Sequence, residues 1–359
     1  MDEHKVQPSS YSRSRFTMIR AGAERSGDVL KLLSEAAGWM ESKGIRQWTP
    51  GQFNDQDIAA YFTDREVYLA LDGETVAGMF TLQFSDPQYW GERNDETCAY
   101  LHRLAVAQAY RGGGLGRQLI DFALHQAQEL GSRALRLDTV AHNVKLNRYY
   151  QSLGFGYMGT RDMGEGRLVN LYEHGASGDN PILLRYMDES DFQHMQRWSV
   201  SPEFLKQWAG PSFDYPLDNG QLMEYMQGAN HPASSDKLIY CAVERAGGRV
   251  VGHLSLARID RINSSARIGR VIVDPQLQGR GIGRGMIQEA LRIGFQGLGL
   301  HRLSLGAFAF NTAAIRCYEN AGFVREGASR EAALFNGQYT DCIEFGLLNR
   351  EWRSLGYSK

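Results

Sequence analysis

Two glycine-rich runs in this sequence have the make-up of an anion cradle. The first holds Arg111, Gly112, Gly113, Gly114, Leu115, Gly116 and Arg117; the second holds Gln278, Gly279, Arg280, Gly281, Ile282, Gly283 and Arg284. Leu104, Ala105 and Val106 precede the first run, Val271, Ile272 and Val273 the second, and both runs lead into a helical pattern. A strand that enters a helix through glycines leaves backbone N–H groups free at the positive end of the helix dipole. Glycine is needed there because a side chain would hold phosphate oxygens off the backbone. A P-loop would require Lys followed by Ser or Thr, which neither run has. The dinucleotide spacing GxGxxG also fails, since Arg117 and Met286 stand where its third glycine belongs.

A second set of matched residues lies downstream. Asn143, Tyr150, Gly154 and Phe155 recur in the same order and spacing as Asn311, Tyr318, Gly322 and Phe323. Their offset is within one residue of that between Gly114 and Gly281. Matched punctuation over so long a period marks duplication of a whole domain, not a short solenoid repeat.

The elements that must position these residues repeat as well. Strands are expected at Glu66–Leu71, Val76–Phe84 and Cys98–Val106, then a helix from Leu115 to Leu130, a strand Ala134–Val140 and a helix Val144–Ser152. The second copy gives strands Leu238–Val243, Val250–Arg258 and Arg267–Val273, helix Ile282–Phe295, strand Arg302–Ala307, helix Thr312–Ala321 and strands Val324–Arg330 and Asp341–Leu348. Strand pairs preceding a strand–helix–strand unit predict an α+β class: a mixed, mostly antiparallel sheet flanked by helices, in two tandem copies. The polar residues 1–15 read as a disordered tail, 16–174 as the first domain, the small polar stretch 175–180 as a linker, and 181–359 as the second domain. Phe204–Leu217, broken by Gly210 and Pro211, reads as a loop over a site.

Composition bounds the function. A chain of 359 residues with 43% hydrophobic and 22% charged residues is globular and long enough for two cores. Its formal charge of −2 argues against coating nucleic acid or an anionic membrane. Cys98, Cys241, Cys317 and Cys342 form no CxxC pair, so reduced thiols are expected and no metal site. No stretch approaches a membrane span, and the N-terminus lacks the apolar core of a secretory signal; a cytoplasmic protein is expected.

Both halves resemble the GNAT N-acetyltransferase superfamily, through the paired [Q/R]xxGxG loops and the Asn–Tyr–Gly-Phe segments. The resemblance implies acetyl transfer from acetyl-CoA to a primary amine of a small molecule, amino acid or peptide N-terminus. It assigns the CoA pyrophosphate to Arg111–Arg117 and Gln278–Arg284. Pantetheine contacts fall to Leu104–Val106, Val271–Val273, Asn143 and Asn311, and proton donation to the leaving thiolate falls to Tyr150 and Tyr318. The ending Phe335–Trp352 is similar to the RimJ/RimL branch.

The group that takes the amine proton is less evident. The RimJ/RimL pattern implies a glutamate where this sequence has Arg267, and Tyr100 stands there in the first copy. His102 is the catalytic substitute in the first copy, with Glu96 beside it; Asp260 and Asp341 are the substitutes in the second. Trp39, Trp48, Trp90, Trp198 and Trp208 are expected either in the core or as pocket walls. Loss of the acidic residue leaves an alternative in which one copy is a CoA-binding sensor or scaffold.

Overall fold

The computed structural model describes residues 15–45, 47–175 and 180–356. Apart from Arg15, which pairs with Asp72, the expected tail lies outside the described residues, as do 176–179 of the expected linker.

Two seven-stranded sheets carry the chain. The first contains β1 (Thr17–Arg20), β2 (Glu66–Asp72), β3 (Thr75–Gln83), β4 (Ala99–Val106), β5 (Leu135–Val140), β6 (Gly156–Asp162) and β7 (Leu168–His174), in the order β1-β2-β3-β4-β5-β7-β6. The second contains β8 (Ile182–Tyr186), β9 (Leu238–Glu244), β10 (Val250–Asp260), β11 (Ser265–Val273), β12 (Arg302–Phe308), β13 (Val324–Phe335) and β14 (Gln338–Leu348), in the order β13-β14-β12-β11-β10-β9-β8. The pairs β4–β5 and β11–β12 are parallel, while β3–β4 and β10–β11 are antiparallel. The expected α+β architecture, in two tandem copies, is the observed one.

The helices of the first copy are α1 (Ser26–Ser42), α2 (Asp55–Asp64), α3 (Pro87–Trp90), α4 (Leu115–Glu129) and α5 (Val144–Ser152). Those that follow are α6 (Phe192–Trp198), α7 (Pro202–Ala209), α8 (Asn219–Met226), α9 (Ile282–Arg292), α10 (Thr312–Asn320) and α11 (Asn349–Ser354). Leu115, Leu119, Phe122 and Ala123 on α4, and Ile282, Met286, Ile287 and Ala290 on α9, follow helical spacing and are buried. Two glycines let these helices lie close on their sheets. A Cβ at Gly78 would sit 2.9 Å from Leu119 Cδ1, and one at Gly252 would sit 2.6 Å from Met286 Sδ.

Residues 204–217 correct the sequence reading. Ser201 caps and Pro202 opens α7, which runs to Ala209 before Gly210 stops it. Leu205 and Trp208 anchor its inner face in the core beside Trp198, Phe213 and Tyr225. The Gly-Pro pair marks the end of a helix rather than a loop throughout. Helix α9 also stops earlier than expected, at Arg292, where the chain continues as a π-turn over Ile293–Gly297.

Contacts group residues 1–140 with 173–176 into one compact unit, and 141–172 with 177–359 into a second. In the first, α1 and α2 cover one face of the sheet through Val29, Leu33, Ala37 and Ile58, against Val67, Leu69 and Met79. In the second, α5 packs on β8: Gln151 Oε1 accepts from the Tyr186 N–H at 2.9 Å, and Arg148 Nε donates to the Tyr186 carbonyl at 3.1 Å. Asn143 and Tyr150 therefore belong to the second unit by their packing.

Candidate active site

In the second unit the parallel pair β11–β12 starts in register and then separates. Ser265, Ala266 and Arg267 face Arg302, Leu303 and Ser304, and no pairing follows, although both strands continue. The β12-facing edge of β11 beyond Arg267 is thus left without a strand partner. On its other side β11 carries a bulge between the pairs Ser255↔Gly269 and His253↔Ile272. Arg270, inside the bulge, takes φ 49°, a left-handed conformation that arginine adopts only under constraint.

The glycine loop lies at the far end of β11. Gly279 and Gly281 have φ 78° and 79°, and α9 starts after Gly281 with no side chain capping its first turn. Its first N–H groups therefore remain available to an anion. These features fit a pyrophosphate: open donors, glycine where a side chain would intrude, and Arg284 exposed in the first turn.

A cleft of about 1790 Å³ joins these parts. Val271, Ile272, Val273, Gln278, Gly279, Gly281, Ile282, Gly283, Arg284, Asn311 and Tyr318, all expected site residues, line it. Asn311 also caps α10, its Oδ1 accepting from the Ala314 N–H at 3.1 Å. Tyr318 is 6% exposed and packs against Phe323 and Phe345, and its hydroxyl makes no hydrogen bond among the described residues. Burial pushes its hydroxyl well above the usual tyrosine range, so it remains protonated at neutral pH. Burial likewise raises the thiols of Cys317 and Cys342, which line the cleft as free cysteines.

Arg267 does not face the cleft alone. Its Nη1 lies 2.8 Å from Glu344 Oε2, and both side chains line the cleft. Gly306 on β12 makes room for this pair, since a Cβ there would meet Arg267 Nη2 at 2.5 Å. Asp260 and Asp341, suggested by the sequence, are engaged elsewhere. Asp260 accepts from the N–H groups of Ile262 and Asn263, which holds its carboxyl below the usual range. Asp341 accepts from the Glu331 N–H at 2.9 Å. Neither lines the cleft. Among the tryptophans, Trp208 lines it, and its Nε1 donates to the Arg270 carbonyl at 2.8 Å.

The first unit repeats the backbone design. Ala99, Tyr100 and Leu101 pair with Leu135, Arg136 and Leu137 before β4 and β5 separate, and β4 is bulged between the pairs Thr81↔His102 and Met79↔Ala105. Arg103 in the bulge has φ 53° and donates from Nε to Tyr61 Oη at 2.7 Å. Gly112 and Gly114 have φ 79° and 80°, and α4 also begins without a side-chain cap. Leu115 is buried, Gly116 half-buried, and Gly113 and Arg117 exposed at this opening. Arg111 turns inward: its guanidinium lies 3.9 Å from the Trp39 ring centre and donates to the Val106 carbonyl at 3.0 Å.

His102 stands one residue past the last β4–β5 pair, between two carboxylates. Its Nε2 is 3.1 Å from Asp86 Oδ2, and its Nδ1 is 3.8 Å from Asp138 Oδ1. A carboxylate only accepts, so Nε2 carries the proton toward Asp86 and Nδ1 keeps the lone pair in the neutral ring. These three residues are also the one group of potential metal ligands found among the described residues. Tyr150, in the second unit, is buried against Tyr149 and Phe155, and Asn143 caps α5 by accepting from the Leu146 N–H.

Arg103, Arg270, Glu344 and Asp86 are site residues that the sequence reading missed. The two arginines carried a signal, because they stand at the same offset as Gly114 and Gly281.

Comparison with known proteins agrees with this geometry. The model of the acetyltransferase (GNAT) family matches residues 31–155 and 194–323. A spermidine N(1)-acetyltransferase of Vibrio cholerae is 26% identical over 48% of this chain and 96% of its own. A mycothiol acetyltransferase of Thermobispora bispora is 25% identical over 84% of this chain and 94% of its own. Among solved structures, a spermidine N-acetyltransferase from Vibrio cholerae in complex with CoA and spermine covers 49% of this chain and 99% of its own, at 26% identity and a TM-score of 0.43. The chain belongs to the GNAT acetyltransferase family, with two copies of the domain, and is an N-acetyltransferase. Its relatives act as acetyltransferases and lend no support to a non-catalytic copy. No helix among the described residues is long and apolar enough to cross a membrane.

Proposed function

We propose that this chain, acting in the cytoplasm, moves an acetyl group from acetyl-CoA to the primary amine of a small molecule, amino acid or peptide N-terminus, releasing CoA thiol. The observation that carries this reading is the shared cleft: the open N–H groups after Gly281, the unpaired edge of β11 and the free hydroxyl of Tyr318 line one cavity. When bound, acetyl-CoA supplies the acetyl thioester. Gln278–Arg284 hold its pyrophosphate, and Val271–Val273 with Asn311 align its pantetheine arm. Tyr318 holds a proton at Oη for the leaving sulfur, and burial keeps that hydroxyl protonated at neutral pH. Glu344 is the carboxylate lining the cleft and takes the amine proton, directly or through water.

In the first unit, Arg111–Arg117 and Leu104–Val106 take the matching CoA roles and His102 Nδ1 is the base; Asn143 and Tyr150 are the residues to which the family motif assigns the pantetheine contact and the acid. The ending Phe335–Trp352 supports kinship of the second copy with the RimJ/RimL branch. The test is thiol release from acetyl-CoA in the presence of amines, with Tyr318→Phe and Glu344→Gln as the affected variants. Release that neither substitution lowers would remove both residues from the reaction.

A further inference from the structure

The wall of the second cleft is cationic beyond the glycine loop as well as at it. Arg284 belongs to the glycine-loop end, in the first turn of α9. Lys206 on α7, Arg258 on β10 and Arg270 on β11 line the same cleft, Arg258 beside the start of β11 and Arg270 three residues short of Val273. The register sets Arg258 apart from the loop. Ala257, beside Arg258, pairs with Arg267, whereas the loop follows Val273, six residues or roughly 20 Å farther along the strand.

These three cations are not neutralised by the protein. Lys206, Arg258 and Arg270 make no ion pair among the described residues; Glu344, the one carboxylate lining the cleft, already faces Arg267. Arg270 spends one Nη2 hydrogen bond on Ser212 Oγ at 3.0 Å and lies over the Phe213 and Tyr225 rings, while its buried Nε has no partner. Arg258 stands exposed at a second bulge of the β10–β11 pair, with φ 52°. Two adjacent strands thus hold arginines in left-handed backbone in the wall of the cleft. A polycation entering here would meet like charge and no free carboxylate.

We infer that the second site takes primary amines carrying a carboxylate, with the carboxylate drawn to the unneutralised cations of this wall, Arg258 first, and that it rejects polyamines. Arginine matches a carboxylate with paired N–H donors, and Phe204 and Trp208 supply apolar wall beside it. The inference rests on the acetyl-transfer reading for its chemistry but not for its binding preference.

The two are therefore tested separately. Calorimetric titration of the CoA-loaded protein compares L-lysine with cadaverine and L-phenylalanine with phenethylamine, pairs that differ by the carboxylate, with spermidine as the polycation. The carboxylated member of each pair should bind at least about tenfold more tightly, and Arg258→Asn, which tolerates the left-handed backbone, should erase most of that preference. Lys206→Gln should weaken it without affecting the decarboxylated amines. Equal or tighter binding of cadaverine or spermidine would overturn the inference, as would an unchanged preference in Arg258→Asn. Thiol release in the same mixtures reads the transfer reaction independently: no release with lysine bound would overturn the acetyl-transfer reading while leaving the binding preference standing.

Discussion

Arg267 on β11 and Glu344 on β14 meet at 2.8 Å across Gly306, in the gap left where β11 and β12 part. Both are about one-third exposed, so the pair is solvent-screened and contributes little to stability. Its value is positional: it keeps one carboxylate in the wall of an otherwise cationic cleft. Glu344→Gln should lower kcat by roughly 100-fold with acetyl-CoA affinity unchanged, as measured by steady-state kinetics and calorimetry. Wild-type turnover in this variant would pass the proton-accepting role to another group or to bulk water.

Tyr318→Phe removes the hydroxyl but keeps the ring contacts with Phe323 and Phe345. The expected result is a fall of roughly 100-fold or more in kcat, with melting temperature and CoA binding close to wild type. A loss confined to the melting temperature would mean that Tyr318 is a core aromatic only.

Gly114→Glu and Gly281→Glu each put a carboxylate against the open N–H groups of one loop, at a backbone angle that disfavours any side chain. Titration with CoA should fall from two sites to one in either variant. Two sites in both would unseat the loops as the pyrophosphate cradle.

Asp86 acts on the first copy as a positioning residue, through the 3.1 Å bond that fixes the His102 tautomer. In a Tyr318→Phe background that silences the second copy, Asp86→Asn should cut the remaining turnover about tenfold and alter its pH profile. Identical profiles with and without the substitution would leave Asp86 as nothing more than the cap of α3.

His253 sets an acid limit on folding. Buried on β10 beside Tyr225 and Arg270, it is 0% exposed, and its pKa is pushed down to about 3, chiefly by burial. The unfolded chain takes up a proton near pH 6.5 and the folded chain does not, so stability is fully present above that pH. It is lost progressively as pH falls toward 3, by roughly 5 kcal/mol over the window. Denaturant unfolding at pH 7 and pH 4.5 should show this loss in the wild type and a smaller one in His253→Gln.

The glycine loops, the duplication and the central strands could be read from sequence because each rests on local punctuation. Gly114 and Gly281 must turn left-handed, and the apolar faces of α4 and α9 follow one helical period. What was missed is non-local. Glu344 reaches the cleft from a strand 77 residues beyond Arg267, and only the sheet order β14-β12-β11 brings the two together. Asp86 meets His102 because β3 and β4 are neighbours. The packing of α5 on β8 joins residues on either side of the expected linker, which composition does not report.

The most direct measurement is release of CoA thiol from acetyl-CoA across amino acids, polyamines, aminoglycosides and short peptides, with wild type, Tyr150→Phe and Tyr318→Phe. Release with one amine class, lowered strongly by Tyr318→Phe, is the predicted result. Acetyl-CoA binding without release from any amine, or release indifferent to both tyrosines, would contradict the account.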